Sequence, residues 1–340
     1  MRGDLINTTI KDVAKAAGVS VGTVSKVINK SGYVSDQIRE RVLLAISLLN
    51  YKPNGIARSL KNSKTNIIGV ILPDTEEIYL MKIMKSIERV TSMMGYKIIF
   101  CFNHYDSKRE VPTLQWLIEK RVDGIIMYPT GNNLDDVEIP TSIPVVLIER
   151  KIEGANFDIV MHENKDTATQ LVQHLYDKGH RKLFFIHGSS ANSIEEERLN
   201  GIKLAITSLG LDRSKQTLLE LNNRWDINKI TEKIAGFLQV KKPEGIFATN
   251  PNFLAGAVRA AWQLGLQISE DIDIIGFGEV DPFDIFRPKV TIAKENPDKI
   301  GQVAVDVLFS KIKKQFQNEP RKYIIQPEII IGNSSNKLTI

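Results

Sequence analysis

The sequence predicts two parts of different fold class: a small all-α head, and an α/β core of two doubly wound parallel-sheet lobes. Apolar residues recur at helical spacing through about the first fifty residues. From Ile67 onward, short and nearly continuous apolar runs alternate with helical segments, as strands buried on both faces of a sheet do. The runs form two successive series, which indicates two similar lobes.

Composition limits the class of protein. The 340 residues, 42% hydrophobic and 25% charged, suffice for two or three domains. A single cysteine, Cys101, excludes an intramolecular disulfide and a cysteine-cluster zinc site, and it fits a reducing compartment. The first residues lack the apolar core of a signal peptide, and no apolar run approaches the ~18 residues of a transmembrane helix. We therefore expect a cytoplasmic protein without a membrane partner.

Positive charge is concentrated in the head. Residues 1–61 hold ten Lys and Arg against four Asp and Glu, a net charge of +6, so the rest of the chain carries −1 of the total of +5. A basic head on a nearly neutral body predicts a polyanionic partner for the head.

Three helices are predicted in the head. Thr9 begins the first with a capping box closed by Asp12, and Gly18 ends it in the left-handed region. Ser20 is the N-cap of the second helix, and the third follows from Ser35. The apolar stripes of the first and third helices are Ile10, Val13, Ala14 and Ala17, and Ile38, Val42, Ala45 and Leu49. Two short helices joined by a tight glycine turn, with a third that closes the core, form a helix-turn-helix.

The second helix, in "GVSVGTVSKVIN" (residues 18–29), is built from poor helix formers. A recognition helix accounts for this, because small side chains on its outer face let its backbone approach the DNA major groove. Val21 and Gly22 lie at the end that meets base edges, and Lys26, one turn further, can reach a guanine or a phosphate. Short polar side chains suited to phosphate oxygens are Thr9, Thr23, Ser25 and Asn29. Capping and turn chemistry is their alternative role.

The stretches "TIKDVAKAAGVSVGTVSKVIN" and "YVSDQIRERVLLAISLLNYKPNGIARSL" resemble the N-terminal signature of the lactose/galactose-repressor (LacI/GalR) family of bacterial transcription regulators. The resemblance spans nearly the whole chain. It implies a homodimeric repressor that binds an approximately palindromic double-stranded operator under the control of a small-molecule effector. It divides the chain into a DNA-binding domain (1–52), a hinge helix and linker (53–65) and a core (66–340).

The hinge segment "PNGIARSL" is too short to hold a helix alone in water. In the family it folds when it pairs with its dimer mate on DNA. By resemblance Leu60 is a wedge between base steps in the minor groove, with Ala57 packed beside it. The alternative role of Leu60 is an ordinary linker leucine. The resemblance also adds Tyr51 and Asn54 to the DNA-binding residues.

The core has the apolar runs of two sheets. The first series is "IIGVILP", "YKIIFCF", "VDGIIMYP" and "IPVVLIE", with helices over 82–94 and 110–120, and the second is "KLFFIHG", "GIFATN" and "IDIIGFG". The family has the fold of type I periplasmic sugar-binding proteins, in which the chain crosses between the lobes three times. We place the crossings near residues 163, 293 and 325, with an N-lobe of about 66–162 and 294–324 and a C-lobe of about 163–293 and 325–340.

Polar side chains follow several of these runs. Ligands of parallel sheets bind beyond the carboxyl ends of strands, which here would face a cleft between the lobes. Candidates at strand ends are Asp74, Asn103, Tyr128, Glu149, Asn250 and Glu279. Arg198, near a helix start, can hold two oxygens at once, and Trp225 offers a flat apolar face. By resemblance Arg198, Trp225 and Asn250 fall on effector positions of the family. Support of the fold is the alternative role of each candidate.

Some strand ends depart from the family pattern. "EEIYL" stands where an Asn-Pro-aromatic-aromatic run is usual, Gly278 and Glu279 replace an aspartate pair, and Pro251 replaces an aspartate after Asn250. Those aspartates usually accept hydrogen bonds from sugar hydroxyls. The sequence therefore favours a phosphorylated or otherwise anionic sugar over a neutral one as effector, and it predicts no cofactor.

Two other functions stay open. One is a soluble binding or receptor protein without specific DNA binding, and the other is an α/β enzyme acting on a sugar or nucleotide. Against an enzyme, the sequence has no Gly-rich phosphate loop, no G-x-S-x-G turn and no metal spacing among its five histidines. His180, at a helix-to-strand turn, is predicted to be structural. We expect neither catalytic residues nor a metal site.

Overall fold

The computed structural model describes residues 8–51, 64–74, 77–131, 143–152, 154, 156–222, 224–280, 287–313 and 319–335. The chain forms two compact units, Met1–Thr65 and Asn66–Ile340. No helix within the described ranges is long and apolar enough to cross a membrane.

The head contains the three predicted helices, α1 (Ile10–Ala17), α2 (Val21–Asn29) and α3 (Asp36–Leu48). Their inward faces form one apolar cluster whose buried members are Val13, Ala14, Ala17, Val24, Val27, Val34, Val42 and Ala45. Burying a valine side chain fully stabilises a fold by roughly 1.5–3 kcal/mol. Packing of this small cluster therefore compensates for the poor helix formers of α2.

The turn between α1 and α2 depends on Gly18. Its φ of +64° lies in the left-handed region, and its N–H caps α1 through the carbonyls of Ala14 and Lys15. Arg41, on α3, donates to the carbonyl of Ala17 and lies where a β-carbon at Gly18 would come within 2.7 Å of Nη2. Glycine is required here by both backbone and space.

The first sheet of the core, the N-lobe sheet, has six parallel strands among the described residues. They are β1 (Ile67–Leu72), β2 (Lys97–Phe102), β3 (Gly124–Met127), β4 (Val145–Ile148), β5 (Asp158–His162) and β11 (Lys322–Ile325). Their order is β11-β5-β4-β3-β1-β2. Helices α4 (Ile78–Met93) and α10 (Pro297–Ile312) cover one face, and α5 (Glu110–Glu119) covers the other.

The second sheet, the C-lobe sheet, also has six described strands. They are β6 (Leu183–His187), β7 (Thr217–Glu220), β8 (Gly245–Ala248), β9 (Asp273–Phe277), β10 (Thr291–Lys294) and β12 (Glu328–Ile330). The order is β12-β10-β9-β8-β6-β7, all parallel except β12, which runs antiparallel to β10. Helices α6 (Lys165–Asp177) and α7 (Ser193–Ser208) cover one face, and α8 (Ile227–Lys241) and α9 (Pro251–Gln263) cover the other.

The two doubly wound parallel sheets confirm the predicted fold class. The chain leaves the N-lobe sheet after β5, returns to it after β10, and leaves it again after β11. Beside the first crossing, α6 and α7 pack so closely that a β-carbon on Gly201 would lie 2.2 Å from the carbonyl oxygen of Lys165. The three crossings, after β5, β10 and β11, join the two lobes.

Five strands were not predicted from the apolar runs: β5, β7, β10, β11 and β12. Strand β5 begins and ends in polar residues, Asp158 and His162, which are nonetheless buried because specific partners hold them. Strands β7, β11 and β12 lie at sheet edges and consist of exposed and half-buried residues, with none fully buried. A search for continuous apolar runs misses both kinds.

Candidate functional site

The outer face of α2 presents small and polar side chains to solvent. Val21 is 41% exposed, and Gly22, Lys26 and Asn29 are exposed as well. The opposite face buries Val24 and Val27 in the head. A helix with one buried stripe and a low outer face has the shape that entering the major groove requires.

Several predicted phosphate-binding groups also hold the head together. Thr9 closes the capping box of α1, with its hydroxyl 2.7 Å from Asp12 Oδ2. The Ser20 hydroxyl accepts from the Thr23 N–H at 3.2 Å and lies 2.9 Å from the Thr23 hydroxyl. These bonds confirm both predicted N-caps and fix the orientations of the Thr9 and Thr23 side chains within the head.

The remaining head candidates occupy varied positions. Asn29 donates to the half-buried Ser25 hydroxyl at 3.2 Å, and Tyr51 is half-buried against the apolar cluster of the head. The predicted residues Asn54, Ala57 and Leu60 lie outside the described part of the chain.

A cleft of about 1430 Å³ lies at the carboxyl ends of strands from both sheets of the core. Seven of the eight predicted effector residues line it: Asp74, Tyr128, Glu149, Arg198, Trp225, Asn250 and Glu279. The eighth, Asn103, is fully buried and does not line it. Its amide donates to Glu110 at 3.2 Å and its oxygen accepts from the Tyr105 N–H at 3.1 Å, so Asn103 shapes the loop that carries Tyr105.

Arg198 is buried, and its guanidinium is held on every side by the protein. Nε donates to Asn164 at 2.8 Å, Nη1 donates to the carbonyl of Thr249 at 2.6 Å, and Nη2 pairs with Glu295 at 2.5 Å. The cation also lies 3.9 Å from the ring centroid of Phe277. The guanidinium group of Arg198 therefore already donates to acceptors of the protein. A ligand anion would have to displace these acceptors.

Glu195, in the first turn of α7, organises the C-lobe wall. Its carboxylate accepts from the Asn250 amide at 2.8 Å, from the Thr249 hydroxyl at 2.5 Å and from the Gly188 N–H at 3.0 Å. Asn250 in turn accepts from the Phe253 N–H at 3.0 Å and so caps α9. Asn250 is thus oriented through both ends of its amide.

Glu149, at the end of β4, is 2% exposed and bonded on several sides. It accepts from the Tyr79 hydroxyl and lies 2.8 Å from His162 Nδ1. Since the Asn296 N–H donates to Nε2 of that ring at 2.8 Å, the Nδ1 proton points to Glu149. Burial raises the pKa of Glu149, but His162 and the Tyr79 hydroxyl outweigh it, and the pKa lies below its ordinary value.

The cleft also contains residues that were not predicted. Tyr79, Tyr105, Lys82, Arg224 and Glu295 line it together with the predicted set. Glu295 directly follows β10, so the strand-end rule would have found it had that strand been assigned. The others lie on α4 or on loops, where the sequence carries no strand-end signal.

Among the described residues, three of the side-chain contacts that join the two lobes involve charged groups. They are Lys82 to Glu279 at 2.8 Å, Lys151 to Glu197, and Arg224 to the carbonyl of Tyr105. All three are at least partly exposed to water, so each contributes modestly.

Two buried histidines of the C-lobe, His180 and His187, bond to partners within the protein. His180 is fully buried with Nε2 2.7 Å from Asp273, and His187 Nδ1 lies 2.8 Å from the carbonyl oxygen of Gly188. Among the described residues no group of three or more His, Cys, Asp and Glu is placed to hold a metal ion.

Comparison with known proteins agrees with this geometry. Residues 65–333 match the model of periplasmic binding proteins and the sugar-binding domain of the LacI family. Residues 9–54 match the model of bacterial regulatory proteins of the lacI family.

Whole-length relatives are repressors. The chain is 29% identical over 334 residues to the HTH-type transcriptional repressor PurR of Aliivibrio salmonicida (strain LFI1238), covering 97% of this chain and 99% of that protein. It is also 29% identical over 334 residues to the ribose operon repressor of Haemophilus influenzae (96% and 98% covered). The crystal structure of the Lac repressor dimer bound to operator and the anti-inducer ONPF has the same fold, with a TM-score of 0.83 at 23% identity, over 96% of this chain and 99% of that one. The chain therefore belongs to the LacI family of bacterial regulatory proteins and is a DNA-binding repressor with an effector-binding core.

Proposed function

We propose that the protein represses transcription as a homodimer on an approximately palindromic operator, and that a small metabolite in the core cleft controls its operator affinity. The observation that carries this proposal is that one chain combines two features. They are a basic head that presents the exposed face of α2, and a core that contains a large polar cleft. One head buries too little surface for tight specific binding, whereas two heads on a twofold axis match two half-sites. The Lac repressor neighbour, a dimer on its operator, supports the same assembly.

Roles in DNA binding follow from the exposed face of α2. Val21 and Gly22 meet base edges, and Lys26 reaches a guanine or a phosphate. The proposed backbone and hinge contacts are Thr9, Thr23, Ser25, Asn29, Tyr51, Asn54, Ala57 and Leu60. Leu60→Ala should weaken specific binding while leaving effector binding intact, because only the wedge is lost.

The effector binds among the residues of the cleft, and no cofactor takes part. Proposed contacts are Asp74, Tyr128, Glu149, Arg198, Trp225, Asn250 and Glu279, with Asn103 acting through the loop that it holds. The protein has no catalytic activity of its own in this proposal, in keeping with relatives that are repressors. It works in the bacterial cytoplasm, where its DNA partner is.

The proposal is tested by fluorescence anisotropy on a palindromic site recovered by genomic pull-down. Operator affinity should fall about 10³-fold or more between 50 and 200 mM salt, since a complex that neutralises six to ten phosphates releases that many counterions. Lys26→Ala should weaken binding, whereas Lys233→Ala, on the exposed face of α8, should not. Salt-insensitive binding, or equal binding of a monomer to one half-site, would rule the proposal out.

A further inference from the structure

The walls of the cleft are acidic. Among the described residues that line it, seven carry carboxylates and four carry cationic groups. The acidic residues are Asp74, Glu77, Glu149, Glu195, Glu220, Glu279 and Glu295, and the basic residues are Lys82, Arg150, Arg198 and Arg224. The formal charges of these lining residues sum to −3, and Lys294 Nζ, 4.0 Å from Glu279, adds one cation beside them.

All four cationic side chains that line the described cleft already meet acceptors of the protein. Lys82 pairs with Glu279 at 2.8 Å, and Arg198 pairs with Glu295 at 2.5 Å. Arg150 donates to the carbonyl of Thr130 at 2.7 Å, and Arg224 donates to the carbonyl of Tyr105. A phosphate in the cleft would have to break such bonds and would still face the surplus carboxylates.

One part of the wall concentrates the negative charge. Glu77, at the start of α4, accepts from the Tyr105 hydroxyl and is exposed to the water of the cleft. Desolvation by the walls raises the pKa of Glu77, the hydrogen bond from Tyr105 lowers it, and the nearby charges of Asp74 and Glu295 raise it again. The charges of Asp74 and Glu295 thus reach Glu77, and a cation beside Glu77 would relieve the repulsion on it.

Aromatic rings line the same cleft. They are Tyr79, Tyr105, Tyr128 and Trp225. Two already attract cations of the protein, since Lys229 Nζ lies 4.2 Å from the Trp225 ring centroid and Arg224 lies 5.6 Å from that of Tyr105. Aromatic faces beside carboxylates are a favourable setting for an ammonium group.

We propose that the effector is a sugar-sized polyol carrying a protonated amine, with the amine beside Asp74, Glu77 and Tyr105. This proposal rests on the proposed function of the cleft and names the chemical class of its ligand. Neutral amides supply donors and acceptors for the hydroxyl groups of the ligand, and they belong to Asn192, Asn222, Asn250 and Asn252. The charge of the cleft thus argues for the opposite of the anionic sugar that the sequence favoured.

The test is calorimetric titration of the full-length protein with matched sets of sugars. Glucose, galactose and mannose are each compared with the 2-amino sugar, its N-acetyl derivative and the 6-phosphate, and glucose is also compared with its ring-nitrogen analogue 1-deoxynojirimycin. At least one amine should bind about tenfold or more tightly than its uncharged parent, and N-acetylation should remove that advantage. If no amine exceeds its parent, or if a phosphate binds best, the proposal is wrong.

Two variants test whether the carboxylates of Glu77 and Asp74 bind the amine of the ligand. Glu77→Gln and Asp74→Asn should each reduce the advantage of the amine over its parent severalfold, while Glu232→Gln, on the exposed face of α8, should leave it unchanged. An advantage that survives in both cleft variants would also overturn the proposal. A neutral or phosphorylated sugar that binds more tightly than every amine of the panel and shifts operator affinity would refute the amine but keep the proposed function. An amine that binds without changing operator affinity would keep the chemical class of the ligand but refute the proposed function of the cleft.

Discussion

At the scale of single residues, Glu149 is a buried carboxylate whose oxygens accept hydrogen bonds from several groups of the protein. Donors from α4 and from the end of β5 surround it: the hydroxyl of Tyr79, the ring of His162 at 2.8 Å, and the His162 N–H at 3.4 Å. The bond from Asn296 to the same ring adds the segment where the chain returns to the N-lobe. The carboxylate therefore fixes neighbouring segments of the cleft floor relative to one another.

Glu149→Gln should destabilise the core by about 1–3 kcal/mol at pH 7, because buried donors lose a charged acceptor. The pKa of Glu149 is lowered in the folded protein, so its contribution is present above its ordinary value of 4.5 and is lost as pH falls through the lower folded value. Urea denaturation should accordingly show a difference between wild type and variant at pH 7 that shrinks at pH 4 and below. The exposed control Glu232→Gln should differ little at either pH. A difference independent of pH would contradict this account.

At the scale of elements, the residues of α2 reduce its helix stability but leave only small side chains on part of its outer surface. Gly22 lies in the first turn with a helical backbone, and a β-carbon there would find Ser20 Oγ at 3.7 Å, an ordinary contact distance. Alanine is more favourable than glycine inside a helix by about 1 kcal/mol. Neither the backbone conformation nor the space within the head therefore requires glycine at position 22.

Gly22→Ala should raise the stability of the head by up to about 1 kcal/mol and yet weaken specific operator binding, because a methyl group holds the helix away from the base edges. Thermal unfolding followed by circular dichroism and operator titration measure the two effects. Gly18→Ala is the matched contrast: its φ of +64° and the Arg41 contact should make it destabilising. An operator affinity that Gly22→Ala leaves unchanged would remove α2 from close base contact.

Elements were predicted from the sequence wherever one physical rule determined them. Helix periodicity and caps predicted α1, α2 and α3, and continuous apolar runs predicted β1, β2, β3, β4, β6, β8 and β9. The start of α4 was expected at Lys82 but lies at Ile78, where no side-chain cap marks it. Polar residue types at strand ends predicted most of the side chains that line the cleft. They did not predict which partner each of those side chains contacts. Long-range partners such as Glu295 for Arg198 depend on the arrangement of two sheets, which no local pattern encodes.

At the scale of the whole molecule, regulation requires two arrangements of the lobes with different affinity for the effector. The charged contacts that join the two lobes favour the arrangement in which they form. Lys82 to Glu279 is the clearest, at 2.8 Å, with the two side chains 43% and 29% exposed. A pair this exposed contributes about 0.2–1 kcal/mol, enough to shift a near-balanced equilibrium without dominating it.

We expect the effector to favour the arrangement in which this pair forms, so Lys82→Met should weaken binding of the tightest uncharged sugar of the calorimetric panel by about two- to fivefold, the factor that about 0.4–1 kcal/mol represents. Methionine keeps the unbranched stem of lysine and lacks its ammonium group, and Lys233→Met on α8 is the control for loss of a surface charge. Because effector and operator binding are linked, the variant should also change the factor by which the effector alters operator affinity. Calorimetry on the protein alone and anisotropy with and without effector measure both quantities. Unchanged effector affinity together with an unchanged coupling factor would mean that this contact does not discriminate between the two arrangements, and that the equilibrium is set elsewhere in the core.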